Sequence, residues 1–295
     1  MTVSVVIPSY NGGAFIESAI LSVLHQERQA DEILICDDNS SDDTLKICRR
    51  YEGRIKVYTH PDGPSGFVNG WNRAIACATG EYICILHQDD LLSPEFIRVA
   101  MEAFEEHPDV RHLFCTCRYI DEKGDTIGFS YGEDKATGVI RYTGWEYFIS
   151  YQRKGHPHIH RCPGVITHRS IFEQCRYEPM AGHIADDDFF YRVGMFTDVI
   201  GILGPLASFR VHGSSVTGSM EDAALAGRLM DDYIYQCRQW KGHPFLFLHD
   251  DAYNYFTGHA VKYIRRCIGY GLHRRDIWAI VKGIRRWASL KLLTR

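Results

Sequence analysis

The chain of 295 residues has no run approaching 18 apolar residues, so nothing in it is expected to span a bilayer. Its ten cysteines lack any repeated Cys-x-x-Cys spacing, and Met1-Thr2-Val3-Ser4 leads straight into a strand pattern with neither a basic n-region nor a signal-like apolar stretch. Reduced thiols and a cytoplasmic location are the expectation. No Walker P-loop and no Gly-x-Gly-x-x-Gly follows any strand pattern, which argues against phosphate held in a backbone cradle and for phosphate held through a metal ion. Acids are scarce at the end of the chain. Residues 259–295 carry ten Lys/Arg against one acid, which leaves the first 258 residues at −13 within a total of −4. The remainder is ordinary for one large or two modest globular domains, with 45% hydrophobic and 24% charged residues.

Val3 to Ile7 is a β-branched run followed by the loop Pro8-Ser9-Tyr10-Asn11-Gly12-Gly13, after which Phe15, Ala19, Val23 and Leu24 fall on one helical face. Ile33 to Cys36 repeats the pattern and ends on Asp37-Asp38-Asn39-Ser40-Ser41-Asp42-Asp43, where Ser and Asp are cap-forming types for the next helix. Ile55 to Thr59 gives a third strand, and Phe67, Gly70, Trp71, Ala74, Ile75 and Ala78 recur at helical spacing. Tyr82 to Leu86 is the fourth. Four alternations of strand and helix predict a right-handed parallel sheet. Ser93-Pro94-Glu95 then supplies cap and first-turn residues for a further helix, and Leu113 to Ile120 reads as another strand. From there to about residue 215 the pattern is irregular α+β. Leu206 to Val211 is a strand, and from Met220 three helical segments follow, roughly 220–240, 246–268 and 276–293.

The polar residues cluster where strands end. Asp89 and Asp90 directly follow the fourth strand, at the edge where open α/β sheets bind ligands, and two hard oxygen ligands there suit Mg²⁺ or Mn²⁺ carrying a phosphorylated substrate. An Asp-Asp pair alone is equally the composition of a solvated turn. Tyr10 offers a surface for a base, or a cover for the core. Asp37 and Asp38 offer acceptors for a base N–H or ribose hydroxyl, or Asx-turn and capping chemistry. The histidines alternating through Gly155 to Gly164 read as a polar strand face or a pocket rim rather than a zinc site, since no fourth ligand is evident. Asp186, Asp187 and Asp188 open a helical pattern, where first-turn acids suit the macrodipole, and where one of them facing a cleft would serve as a general base. His212, at the end of the last strand, could ligate metal or bond a phosphate. In the final helix Ile277, Ile280, Val281, Ile284, Trp287 and Ala288 share a face with Arg275, Lys282 and Arg286 opposite, the composition of an interfacial helix. Nucleic acid is not expected as a partner.

Taken in order, these motifs resemble the family 2 glycosyltransferases of the GT-A fold. Ser4-Val5-Val6-Ile7-Pro8-Ser9-Tyr10-Asn11 is similar to the family's opening strand, and Asp37-Asp38-Asn39-Ser40-Ser41-Asp42 to its D-D-x-S-x-D stretch. Asn72 to Asp90 is similar to its N-x-A-x-x-x-A-x-G-E-Y-I-x-x-L-x-x-D-D run, with His87 where the family's Asp-x-Asp-Asp has its first acid. Phe209-Arg210-Val211-His212-Gly213-Ser214-Ser215 looks like its closing R-x-H-x-x-S element. The resemblance implies an α/β, Rossmann-like mixed sheet. It covers residues 1 to about 215, with a nucleotide-sugar-binding half at 1–120 and an acceptor-binding half at 121–218; the helical, basic extension at 219–295 lies beyond it. It further implies inverting transfer of a sugar, UDP-linked, from a nucleoside diphosphate to a glycan or lipid-linked hydroxyl in surface polysaccharide synthesis. Pro8, Tyr10, Asn11, Asp37, Asp38, Asn72 and Gln88 would meet the nucleotide, Asp89, Asp90 and His212 a Mn²⁺ or Mg²⁺ ion, and Asp186 or Asp187 the acceptor proton. A peripheral position on an anionic membrane through the last helices is the associated expectation. The rival readings are an inert sugar-nucleotide-binding protein and a nucleotidyltransferase, although Asn11-Gly12-Gly13-Ala14 lacks the basic residue the latter would show.

Overall fold

The computed structural model describes residues 1–130, 138–152, 162–213, 215, 223–240, 250–274 and 276–293. Most of the histidine-alternating stretch lies outside the described residues. The chain forms two compact units, the first built from 1–147, 157–177 and 192–211, the second from 148–156, 178–191 and 212–295.

The first unit is organised by β1 (Val3–Ser9), whose seven residues are all buried, as a strand covered on both faces requires. It is followed by α1 (Ile16–Leu24), β2 (Glu32–Asp37), α2 (Thr44–Cys48), β3 (Lys56–Thr59), α3 (Phe67–Cys77) and β4 (Tyr82–Ile85). These four strands are parallel, in the order β3-β2-β1-β4, as expected from the alternation. Beyond β4 the sheet becomes mixed. The two-residue β5 (Leu91–Leu92) and α4 (Phe96–Glu106) lead to β6 (His112–Ile120), β7 (Thr126–Phe129) and β8 (Val139–Tyr142), and then come α5 (Gly144–Gln152), β9 (Val165–His168) and α6 (Arg169–Gln174). β9 lies between β4 and β6, antiparallel to both. After α7 (Ala185–Val193), β10 (Val199–Arg210) runs parallel to β6 and antiparallel to β5 and β8. β10 is longer than the expected 206–211, because Val199 to Ile202 are paired on both sides. Its register shifts between Ile202 and Ala207, where Gly204-Pro205 removes a ladder N–H and breaks the apolar pattern that would have announced the strand.

The core gathers Val5, Ile7, Ile20, Ile35, Phe96 and Phe104 with their neighbours from β1, α1, β2 and α4. α4 starts at Phe96 without a side-chain cap of its own, so Ser93 is not the N-cap that its type suggested. The buried Gln26 supplies one from a distance: its Oε1 accepts the Ile97 N–H at 3.0 Å while its Nε2 donates to Ser22 O and Ser93 O. The second unit is carried by α8 (Ala223–Trp240), α9 (Asp250–Arg274) and α10 (Ile277–Leu293), packed on one another. Tyr233 stacks on His259 and Tyr263, at 5.0 and 5.6 Å between ring centres, and holds α8 to α9.

Glu32 shows how polar groups are buried within the sheet. Its carboxylate accepts from Ser4 Oγ at 2.7 Å, Thr79 N at 2.8 Å and Lys56 Nζ at 3.1 Å, while Ser4 Oγ accepts the Gly80 N–H. Burial pushes the Glu32 carboxyl up, but the bonds from Ser4, Thr79 and Lys56 together hold it below the usual range. A lowered folded-state value means that the stabilisation is complete above the unfolded value of about 4.3 and is lost as pH falls through the lowered one. Glu32→Gln is therefore expected to cost about 1–3 kcal/mol at neutral pH. In urea denaturation the gap to wild type should close as pH drops below about 4; a gap independent of pH would refute this account.

Candidate active site

Parallel pairing brings the ends of β1, β2 and β4 to one edge, with Ser9 opposite Asp37 and Val6 opposite Ile85. Gln88 ties the loops there: its Oε1 accepts from Ser9 Oγ and Tyr10 N, both at 2.9 Å, and its Nε2 donates to Tyr10 O at 3.1 Å. Gly12 makes room for it, since a Cβ at that position would lie 2.2 Å from Gln88 Oε1. Asn11 takes φ 48 and accepts the Ser41 N–H on its Oδ1, and Ser40 Oγ accepts the Asn11 N–H. Pro8 is buried within β1, whereas Tyr10 is exposed at its end.

Asp37 is buried and accepts from Ser40, three residues on, at 2.9 Å from N and 2.5 Å from Oγ, one residue further than an Asx turn would reach. Asp38 accepts from Ser65 N at 2.7 Å and pairs with Arg73. Both carboxylates are thus engaged in shaping the loops at the strand ends. Asn72 is engaged too, its amide donating to Tyr177 O at 2.8 Å and accepting from Tyr177 N at 3.2 Å.

The turn after β4 gathers His87, Asp89 and Asp90 so closely that one ligand atom from each lies within 4.8 Å of the others. Asp90 is 1% exposed. Its Oδ1 accepts the Arg210 N–H at 2.8 Å, but its Oδ2 is buried without a hydrogen-bond partner, the nearest base being His87 Nδ1 at 3.8 Å. Burial pushes the Asp90 carboxyl well up, and Asp89 adds to this; Arg210 opposes both. His87 lies flat against Trp71 at 4.9 Å, with Nε2 3.6 Å from Cys162 Sγ. Burial lowers its basicity and Asp89 partly restores it.

Arg210 anchors this turn from the end of β10. Its side chain is almost fully buried and donates to Asp89 O at 2.8 Å, Asp121 O at 2.9 Å and Glu122 O at 3.2 Å, with its guanidinium 4.8 Å over the Phe15 ring. A guanidinium reaches three carbonyls in one plane, which a lysine cannot.

In the second unit, Asp186 and Asp187 stand in the first turn of α7, where Asp186 Oδ1 accepts the Asp187 N–H at 2.9 Å. Asp188 is turned toward α8 and accepts from Gln236 Nε2 at 2.9 Å, with both side chains buried. One helical turn away on α8, Asp232 Oδ2 accepts the His183 N–H at 2.9 Å and lies 3.2 Å from His183 Nδ1. Gly182, at φ 61, leaves space for that carboxylate, which a Cβ would approach to 2.3 Å. His212 belongs to this unit, and its carbonyl accepts from Ser215 N and Oγ. Asp232 and Gln236 escaped the sequence reading, and Trp71 was read only as a helix-face residue, because each acts through a partner elsewhere in the chain. Arg210 was legible only as a motif position.

Residues 4–176 match the model of glycosyl transferase family 2, and the chain belongs to that family. Its architecture is the GT-A fold. Among curated proteins it is similar to the chondroitin synthase of Pasteurella multocida (strain Pm70), at 30% identity over 132 residues, which is 44% of this chain and 14% of that protein. Among solved structures, Staphylococcus aureus TarS 1–349 in complex with UDP-GlcNAc superposes with a TM-score of 0.59 at 16% identity, covering 98% of this chain and 90% of the other. The mannosyltransferase PcManGT of Pyrobaculum calidifontis, in complex with GDP-Man and Mn²⁺, gives 0.59 at 17% identity over 98% and 80%.

Replacing Arg210 tests its anchoring role. Arg210→Met removes the guanidinium's bonds to three carbonyls, of which Asp121 O keeps the Gly124 N–H, so a loss of about 2–4 kcal/mol is expected in chemical denaturation. Arg210→Lys should recover less than half of it. A loss below about 1 kcal/mol in the Met variant would show that the turn is held by other contacts.

Proposed function

We propose that the chain transfers a sugar from a nucleoside diphosphate sugar, UDP-linked, to a hydroxyl of a glycan or lipid-linked acceptor, with inversion at the anomeric carbon, in the synthesis of a surface polysaccharide. The observation that carries this reading is the orphaned, buried Asp90 Oδ2 beside Asp89 at the carboxyl end of β4. Asp90 Oδ2, withdrawn from water and without a hydrogen-bond partner, is a place where a cation would be accommodated, and two carboxylates with one imidazole fit a divalent ion of the Mn²⁺ or Mg²⁺ class. The name of the chondroitin synthase supports a polysaccharide product, and the UDP-GlcNAc bound to TarS supports a uridine donor, while the GDP-Man bound to PcManGT keeps a guanosine donor as the alternative to be titrated beside it.

In this reading Asp89 and Asp90 would hold the ion, with His87 taking the place of a further acid and making the site one negative charge poorer. When bound, the ion supplies charge that offsets the growing negative charge of the diphosphate leaving group. Gln88, Asn11 and Asp37 hold the loops against which the nucleotide would lie, and exposed Tyr10 would stack on its base. Asp38 and Asn72 would act on the nucleotide through the loops that they fix. Asp186 would take the proton from the attacking hydroxyl. Asp188 is the weaker candidate among its neighbours because Gln236 engages it. His212 remains a proposed third ligand or phosphate contact. An inert binder would retain nucleotide affinity without needing any base, so turnover separates the two readings.

Asp89→Asn is expected to abolish the Mn²⁺-dependent part of UDP affinity in calorimetric titration. Unchanged binding both in this variant and in chelator would remove the metal from the account. Asp186→Asn should lower kcat by about 10²–10⁴-fold while donor affinity stays within about twofold, since a general base acts only in the transition state. Full activity in Asp186→Asn, with loss in Asp187→Asn, would move the role by one residue.

A further inference from the structure

The final helix is oriented against the usual rule for a soluble protein. In α10, Ile277 and Trp278 are 72% and 80% exposed, and Ile284 and Trp287 are exposed as well, as is Leu272 at the end of α9. Two basic residues of the same helix lie away from the row of Ile277 and Ile284 and pair with α8: Lys282 Nζ lies 3.1 Å and Arg286 Nε 2.6 Å from the Asp231 carboxylate. Ile277, Val281, Ile284 and Ala288 follow one another at helical spacing along the outer face, and Lys291 continues it. Trp278 and Arg285 form the parallel row seven residues apart. Lys291 Nζ sits 3.9 Å over the Trp287 ring, and Arg274 and Arg265 add exposed cations from α9.

We infer that this face of α9 and α10 is a docking surface for an anionic phospholipid membrane. Trp278 and Trp287, nine residues apart, flank the row Ile277, Val281 and Ile284 from opposite sides, and this apolar row with indole N–H groups at its edges is the make-up of an interfacial helix with its tryptophans at the headgroup level. The cations among them complement lipid phosphates. Charge selects this occupant. The segment from 259 carries ten Lys/Arg against one acid, which complements an anionic lipid surface; the acidic remainder of a second copy, at −13, could meet it only head to tail, a contact that does not close on itself and that sedimentation velocity would reveal. Two such faces meeting would bring like charges together. No helix among the described residues is long and apolar enough to cross a membrane, so attachment would be lateral, with α10 lying along the surface. The inference does not depend on the transfer reaction and stands or falls separately from it.

Vesicle sedimentation of the full chain tests it. Vesicles of phosphatidylglycerol mixed with phosphatidylcholine should bind the protein at low salt, with affinity falling as sodium chloride is raised, while pure phosphatidylcholine vesicles should bind at least about tenfold less. Trp278→Ser combined with Ile284→Ser, both at exposed positions, should weaken binding by about tenfold or more with an unchanged far-UV spectrum. Arg285→Glu combined with Lys291→Glu should remove the salt-sensitive part. Absence of binding by the intact protein at low salt, or equal binding to neutral and anionic vesicles, overturns the inference. So does retention of full binding by the Trp278/Ile284 variant. A wild-type dimer in sedimentation velocity that this variant converts to monomer would assign the face to a second copy and overturn it equally.

Discussion

The buried carboxylate of Asp90 is the constraint on which the first unit depends. A strand covered on both faces must release its chain at the sheet edge, and here it does so into a turn whose second acid is almost wholly withdrawn from water. That charge is costly unless it is met. Arg210 meets half of it by donating its backbone N–H to Oδ1 and by pinning three carbonyls around the turn. The other oxygen is left toward His87 and Asp89. The length and position of β10 follow from this, because the strand must carry Arg210 to the acid pair while pairing with β6 along its whole course. Gln88 and Gly12 complete the arrangement by locking the β1 end to the same turn.

The fold was legible where side-chain pattern and burial agree. β1, β2 and β4 are buried on both faces and read as apolar runs, and the helices between them show one apolar face, so the parallel half followed from residues 1–90, and the family from the motifs there together with 209–215. The mixed half was not legible in detail. β5 has only two residues, β7 and β8 are half exposed at the sheet's margins, and β10 contains Gly204-Pro205, so none carries a clear period. Asp89 and Asp90 could be singled out because they are adjacent in sequence and follow a strand. Arg210 binds them across 120 residues, and Trp71 packs on His87 across a helix and a strand; no local pattern marks either contact. The capping of α4 by Gln26 is the same lesson at smaller scale, since Ser93 had the right type and a distant amide had the right position.

In the second unit, α8 joins the helical extension to the acid-bearing turn of α7. Asp232 and Gln236, one turn apart, hold His183 and Asp188 respectively, so the residues around Asp186 are set by a helix outside the stretch that matches the family model. The extension therefore does more than append charge. Its last helix leaves Ile277, Trp278, Ile284 and Trp287 exposed while Asp231 pairs with Lys282 and Arg286, the arrangement on which the proposed membrane surface rests.

The central claim is that the acid pair at the end of β4 is completed by a cation that also meets a nucleoside diphosphate. Anomalous diffraction from crystals grown with Mn²⁺ and UDP tests it most directly. The account predicts a single manganese peak at coordination distance, about 2.2 Å, from a carboxylate oxygen of Asp89 or Asp90, with diphosphate oxygens on its other side. Diphosphate bound at this edge with no manganese peak beside those residues, or a peak bound elsewhere, would contradict it.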